Sequence, residues 1–166
     1  MNKWSHLPNA RLIDWVLKSL KTDPNAWKAA WGKERDAEWA TWHAAYAACD
    51  VWDAAWWNAA NVAAWRAAAE MNNQIKLALL EGEAEEGKER DAEWAEWGMA
   101  KAARSAAGAI LALIADDNAA QYLHIKLDKL KVWAILSEKP AARLLIPANK
   151  IWQREHARAE NALQYN

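Results

Sequence analysis

The feature that most limits this chain is a pairing of alanine with tryptophan along stretches that contain almost no helix breaker. Over residues 24–81 the apolar pattern keeps helical spacing, and Gly32 is the only glycine inside it. The chain holds 14 Trp and no Phe, and about a quarter of its residues are Ala. Ala lets helix backbones approach closely, while a Trp that buries roughly 150–250 Å² fills the gaps where they splay. Five Gly and four Pro are too few for a turn-rich β fold. The expectation is all-α: one domain over residues 1–166, a bundle of about five to seven helices with long Ala/Trp-rich helices at its centre.

Local signals place the elements. Asn9 is positioned to cap a first helix whose apolar residues are Leu12, Ile13, Val16, Leu17 and Leu20. Thr22-Asp23-Pro24 ends it, with Asp23 as the next N-cap and Pro24 at the first helical position. A single helix over 24–81 would exceed the diameter of a small domain, which predicts breaks near Gly32 and near Met71-Asn72-Asn73. Residues 81–87, EGEAEEG, read as an acidic loop. A long helix is expected over 88–115, stopped by Asp116-Asp117-Asn118, which can also cap the next one. Residues 119–136 read as one or two helices. Pro140 and Pro147 flank a short apolar helix at 141–146, and a mostly polar helix follows at 148–163.

Charge and cysteine content narrow the function classes. Lys+Arg number 21 against 22 Asp+Glu, a formal net charge of -1, which disfavours broad nucleic-acid binding. The single Cys, Cys49, excludes an internal disulfide and a cysteine-based zinc site, and it reads as a small buried hydrophobe. The first residues, MNKWSH, carry no apolar signal core. The longest uncharged apolar run, 105–115, is about half of what a membrane span needs. A cytosolic protein without a membrane segment is expected.

A repeat lies inside the helical pattern. GKERDAEWATW at 32–42 recurs as GKERDAEWAEW at 87–97, with Thr41 against Glu96 as the only difference. Two copies fall short of a solenoid and suggest a duplicated helical-hairpin start. On a helical wheel Trp31, Trp39, Trp42, Tyr46, Cys49, Trp56 and Trp57 share an arc of roughly 100°, with Trp52 at one edge. Asp53 lies within this stripe, so it should accept hydrogen bonds from indoles or from Arg35, its natural ion partner. Trp65 falls outside the stripe, which implies either a helix packed on two sides or an indole offered to a partner.

The second copy carries the sharper pattern. Arg90, Trp94, Trp97, Lys101 and Arg104 fall on one helix face roughly 80° wide. Cations interleaved with indoles can stack a base and grip a phosphate, or serve as stems covering a Trp edge. In the first copy Tyr46 and Cys49 stand where the second has Lys101 and Arg104, so the two copies cannot form identical sites. The catalytic inventory is thin. His6, His43, His124 and His156 show no metal-ligand spacing, Asp116-Asp117 suits helix capping, and no nucleophile elbow, phosphate loop or dinucleotide fingerprint is present. No enzyme activity, metal or cofactor is expected.

Three stretches together resemble a known group: IDWVLKSLK with Pro24 and Ala26-Trp27, then AILALIADD at 109–117, then PAARLLIPA at 140–148. They are similar to the Ala/Trp-rich small accessory proteins of tailed bacteriophages, whose middles are runs of Ala, Trp, Arg and Asp like residues 44–69 here. The acidic insert at 81–87 and the duplicated GKERDAEWA segment depart from that group. The resemblance implies a non-catalytic protein of the infected bacterial cytoplasm that binds and inhibits an anti-phage defence protein. Two alternatives stand beside it. One is a sponge for a cyclic nucleotide or ADP-ribose-type signal. The other is a structural or assembly protein, homo-oligomeric through exposed Trp. The candidate contact residues are Arg90, Trp94, Trp97, Lys101, Arg104, Arg35, Asp53 and Trp65.

Overall fold

The computed structural model describes residues 3–31, 54–80, 86–136 and 140–164. They form eight helices: α1 (Ala10–Thr22), α2 (Pro24–Trp31), α3 (Ala54–Leu80), α4 (Glu86–Ala115), α5 (Gln121–His124), α6 (Leu127–Leu136), α7 (Pro140–Leu144) and α8 (Ile146–Gln164). No strand occurs among the described residues. The all-helical single bundle agrees with the sequence pattern. The short pieces α5 and α7 take the helix number above the five to seven expected from composition.

Helix α4 is the axis, and α1, α2, α3, α7 and α8 all pack against it. Its C-terminal half is buried nearly all round: Ala102, Ala103, Ala106, Ala107, Ala109, Ile110, Leu111, Ala112 and Leu113 belong to the core. Helix α3 faces it with Ala60, Ala64 and Ala68, a buried row at four-residue spacing. Methyl side chains on both surfaces permit an interaxial distance near the short end of the 8–10 Å range. The segment Trp97–Ala115 is apolar and long enough to cross a membrane by composition, but 72% of it is buried inside the bundle, as in a core helix.

Indoles fill only part of this core. Trp4 and Trp27 are buried, and Trp15, Trp56 and Trp152 pack against it half-covered. Leu and Ile supply most of the remaining large side chains, among them Ile13, Leu20, Leu123, Leu130, Leu144 and Leu145. Trp4 and Trp27 each find a side-chain oxygen for their N–H. Trp27 Nε1 donates to Ser19 Oγ at 3.0 Å, and Ser19 Oγ donates in turn to the Val16 carbonyl at 2.9 Å. Trp4 Nε1 donates to Asp14 Oδ1 at 3.2 Å. Trp31 lies in α2 and Trp57 in α3. The rest of the expected stripe, Trp39, Trp42, Tyr46, Cys49 and Trp52, lies outside the described residues.

Several element boundaries follow the sequence signals and several do not. Asp23 Oδ1 accepts from the Ala26 N–H at 3.1 Å, so Asp23 caps α2 with Pro24 as its first residue. Asn9 precedes α1 without a side-chain cap bond. Its Nδ2 instead donates to the carbonyls of Leu113 and Asp116, both at 2.9 Å, and so satisfies the C-terminal end of α4. Helix α3 runs unbroken through Met71-Asn72-Asn73. Asn lowers helix propensity by less than about 1 kcal/mol, too little to end a helix of this length by itself. Glu86 and Gly87, expected in the acidic loop, open α4. Pro147 belongs to the first turn of α8, where its missing N–H has no intrahelical acceptor to lose. Asp116 organises the turn after α4. It accepts from the Asn118 N–H at 2.9 Å and from the Tyr122 hydroxyl at 3.3 Å, while α5 has no side-chain cap. Burial, reinforced by the Asp116 charge, pushes the Tyr122 phenol up.

A second buried asparagine repeats the role of Asn9. Asn149 Nδ2 donates to the carbonyls of Tyr122 at 2.7 Å and Ile125 at 2.8 Å, and Gln153 Nε2 donates to Leu123 at 2.8 Å. Helix α8 thereby caps the C-terminal carbonyls of α5. Replacing Asn149 by Ala removes the donor to the Tyr122 and Ile125 carbonyls and should lower unfolding free energy by about 2 kcal/mol in urea titrations; wild-type stability would show that this amide is no latch. Ser105 Oγ is buried in α4 with no hydrogen-bond partner. Ser105→Ala should therefore gain about 1 kcal/mol in the same titrations, from relief of desolvation and from helix propensity, and a loss would contradict that reading.

Candidate binding surface

The five residues 90, 94, 97, 101 and 104 all lie within α4, one uninterrupted helix, so their spacing places them on one strip of its surface. Trp97 is 52% exposed. The Lys101 ammonium stands 3.5 Å from the centre of the Trp97 ring, a close cation–π contact formed between residues one turn apart. Arg104 follows on the next turn and is exposed. Arg90 and Trp94 are on the same helix, and their side chains lie outside the described residues, as do Arg35 and Asp53 altogether. Trp65 stands on α3 with 43% of its surface exposed.

Sequence spacing does not reveal a further cation at this strip. Lys28, on α2, lays its side chain across Gly98 of α4. A Cβ at position 98 would stand 3.1 Å from Lys28 Cδ, 3.3 Å from Cε and 3.2 Å from Nζ. Gly98 is buried, and the absent side chain leaves room for the lysine stem against α4. A glycine inside a helical pattern is the signal for such a close approach. Its partner is not readable from the sequence, because α2 is some seventy residues away along the chain.

Other aromatic groups occupy separate places. The Trp152 ring meets Trp15 edge-on at 4.9 Å and His124 edge-on at 5.6 Å, and His156 stacks on it at 4.1 Å. Trp15 Nε1 donates to Glu155 Oε2 at 2.8 Å, so this cluster ties α1 and α5 to α8. His6 tilts against Trp56 at 6.0 Å, with the Lys3 ammonium 5.8 Å from the same ring. An open groove of about 630 Å³ on α6 is lined by Ile125, Asp128, Lys129, Val132 and Trp133. Of the four histidines, His6, His124 and His156 contact aromatic rings, and His43 lies outside the described residues. Among the described residues no three His, Cys, Asp or Glu side chains group as metal ligands.

Comparison with protein-family models, with curated proteins and with solved structures finds no match to this chain. What that strip can do chemically is bind: a flat aromatic ring for apolar or stacking contact, with ammonium and guanidinium groups beside it for anions.

Because the atoms facing Gly98 are the free end of a lysine, Gly98→Ala should be accommodated by a small swing of Lys28. Thermal unfolding should show the variant more stable by about 0.5–1 kcal/mol, the helix-propensity difference. A destabilised variant would mean that the lysine is held rigidly against α4.

Proposed function

We propose that the chain is a non-catalytic phage accessory protein that binds a bacterial anti-phage defence protein and inhibits it, acting in the cytoplasm of the infected host. The observation that carries the binding reading is Trp97. The same bundle buries Trp4 and Trp27, yet it leaves half of Trp97 in solvent, held in place by a lysine on its ring. An exposed, oriented indole with Arg and Lys beside it has the composition of an interface hot spot. Trp65 adds a second exposed indole on the neighbouring helix. The phage and defence setting comes from the sequence resemblance and gives the binding surface a biological target.

A second reading rests on the Lys101–Trp97 contact itself. An indole with an ammonium at 3.5 Å and a guanidinium one turn on can stack a nucleobase and hold its phosphate. In that case the chain sequesters a cyclic nucleotide or ADP-ribose-type immune signal.

Expression in bacterial strains that each carry one defence system tests the first reading. The wild-type chain should restore phage plaquing in at least one strain and co-purify with that system's protein. Trp97→Ala at equal abundance should lose both effects. Restoration by Trp97→Ala as complete as by the wild type would contradict the role of this surface. Thermal-shift measurements with cyclic nucleotides and ADP-ribose derivatives separate the second reading, which predicts a rise of several degrees for one of them.

A further inference from the structure

Helix α6 turns one face to the bundle and the other to solvent. Leu130 and Ala134 are buried where it packs on α7 and α8, while Asp128, Lys129, Val132 and Trp133 are exposed. Of the five large hydrophobic side chains that are exposed among the described residues, Val132 is the most exposed, at 56%. With Ile125, just before the helix, these four line the open groove of about 630 Å³. At about 100° per residue, Val132 falls between Asp128 and Lys129 around the helix. A carboxylate therefore stands on one side of it and an ammonium on the other. Adjacent helix residues do not face each other, so these two charges point apart and meet whatever covers the face.

We propose that a second copy of the chain covers it, with the two α6 helices antiparallel about a two-fold axis passing between residues 128 and 129. The pattern is complementary to itself about that axis. Asp128 of each copy meets Lys129 of the other, giving two ion pairs from one adjacent couple. Ile125 lies three residues before Asp128 and Val132 three residues after Lys129. The same axis thus sets Val132 of each copy against Ile125 of the other. Trp133, whose ring meets Tyr122 edge-on at 5.4 Å, borders each end of the seam. Charge also fixes the register. A slip of one residue sets Lys129 on Lys129 or Asp128 on Asp128, and a parallel pairing does both. A face about two helical turns long buries well under the roughly 1,200–2,000 Å² of a stable complex, so the pairing is weak and concentration-dependent. It is independent of the Trp97 surface on α4 and of the reading built on that surface.

In sedimentation equilibrium over about 20 µM to 1 mM, the mass of the intact chain should rise from 18.7 kDa toward twice that value, with a Kd of roughly 100–500 µM. Asp128→Lys and Lys129→Asp, both at exposed positions, should each weaken self-association about tenfold or more, because each sets like charges together. An equimolar mixture of these two variants should associate again, to within about threefold of the wild type, since both contacts then join opposite charges. Val132→Asp should stay monomeric throughout. A wild-type chain that is monomeric over the whole range would overturn the proposal. So would self-association that survives all three substitutions, or a mixture no more associated than its separate components. Flotation of a monomeric wild-type chain with anionic phospholipid vesicles, lost in Val132→Asp, would also overturn it in favour of a lipid surface.

Discussion

The close alanine seam between α3 and α4 sets the terms for the rest of the molecule. Ala60, Ala64 and Ala68 of α3 and Ala102, Ala103, Ala106, Ala107, Ala109 and Ala112 of α4 are all buried, and the two helices pack together, so methyl groups make up much of what lies near their contact. Each methyl contributes little apolar area, so the seam alone buries less than a Leu-rich interface of the same length. The missing area is supplied at the flanks. There α1, α2, α7 and α8 close over α4 with Ile, Leu and, from α2, Trp27. Gly98 extends the same principle by one step, dispensing with even the methyl so that Lys28 can cross α4.

A thin core of this kind leaves polar helix ends close to buried space, and two asparagines answer that. Asn9 reaches the end of α4, and Asn149 reaches the end of α5. A carbonyl buried without a donor costs about 1–3 kcal/mol, so these two amides hold the turn regions in one arrangement as well as adding hydrogen bonds. Trp27 is handled in the same way through Ser19, whose hydroxyl accepts from the indole and donates to Val16.

How much is legible in the sequence follows from the range of each interaction. The Asp23–Pro24 start of α2, the length of α4 and the face shared by Trp97, Lys101 and Arg104 depend on neighbours within a few turns. Local spacing shows such features. Asn9 looks like an N-cap because its sequence neighbours suit one, whereas its amide bonds residues more than a hundred positions away. Asn72 and Asn73 look like a break, but α3 runs unbroken through them. Pro147 looks like a separator and instead sits inside the first turn of α8, where proline is tolerated. Near Trp97 the α4 cations Lys101 and Arg104 are readable and the approach of Lys28 to Gly98 is not, since nothing in the local pattern pairs α2 with position 98.

The indoles divide between two environments. Among the described residues Trp4 and Trp27 are buried in the core, whereas Trp97 and Trp65 are exposed. Limited oxidation of the folded protein with N-bromosuccinimide, followed by peptide mass spectrometry, measures that division residue by residue. Trp97 and Trp65 should be modified early, while Trp4 and Trp27 stay intact until the chain unfolds. Early oxidation of Trp27, or protection of Trp97 equal to that of Trp27 in the isolated monomer, would contradict it.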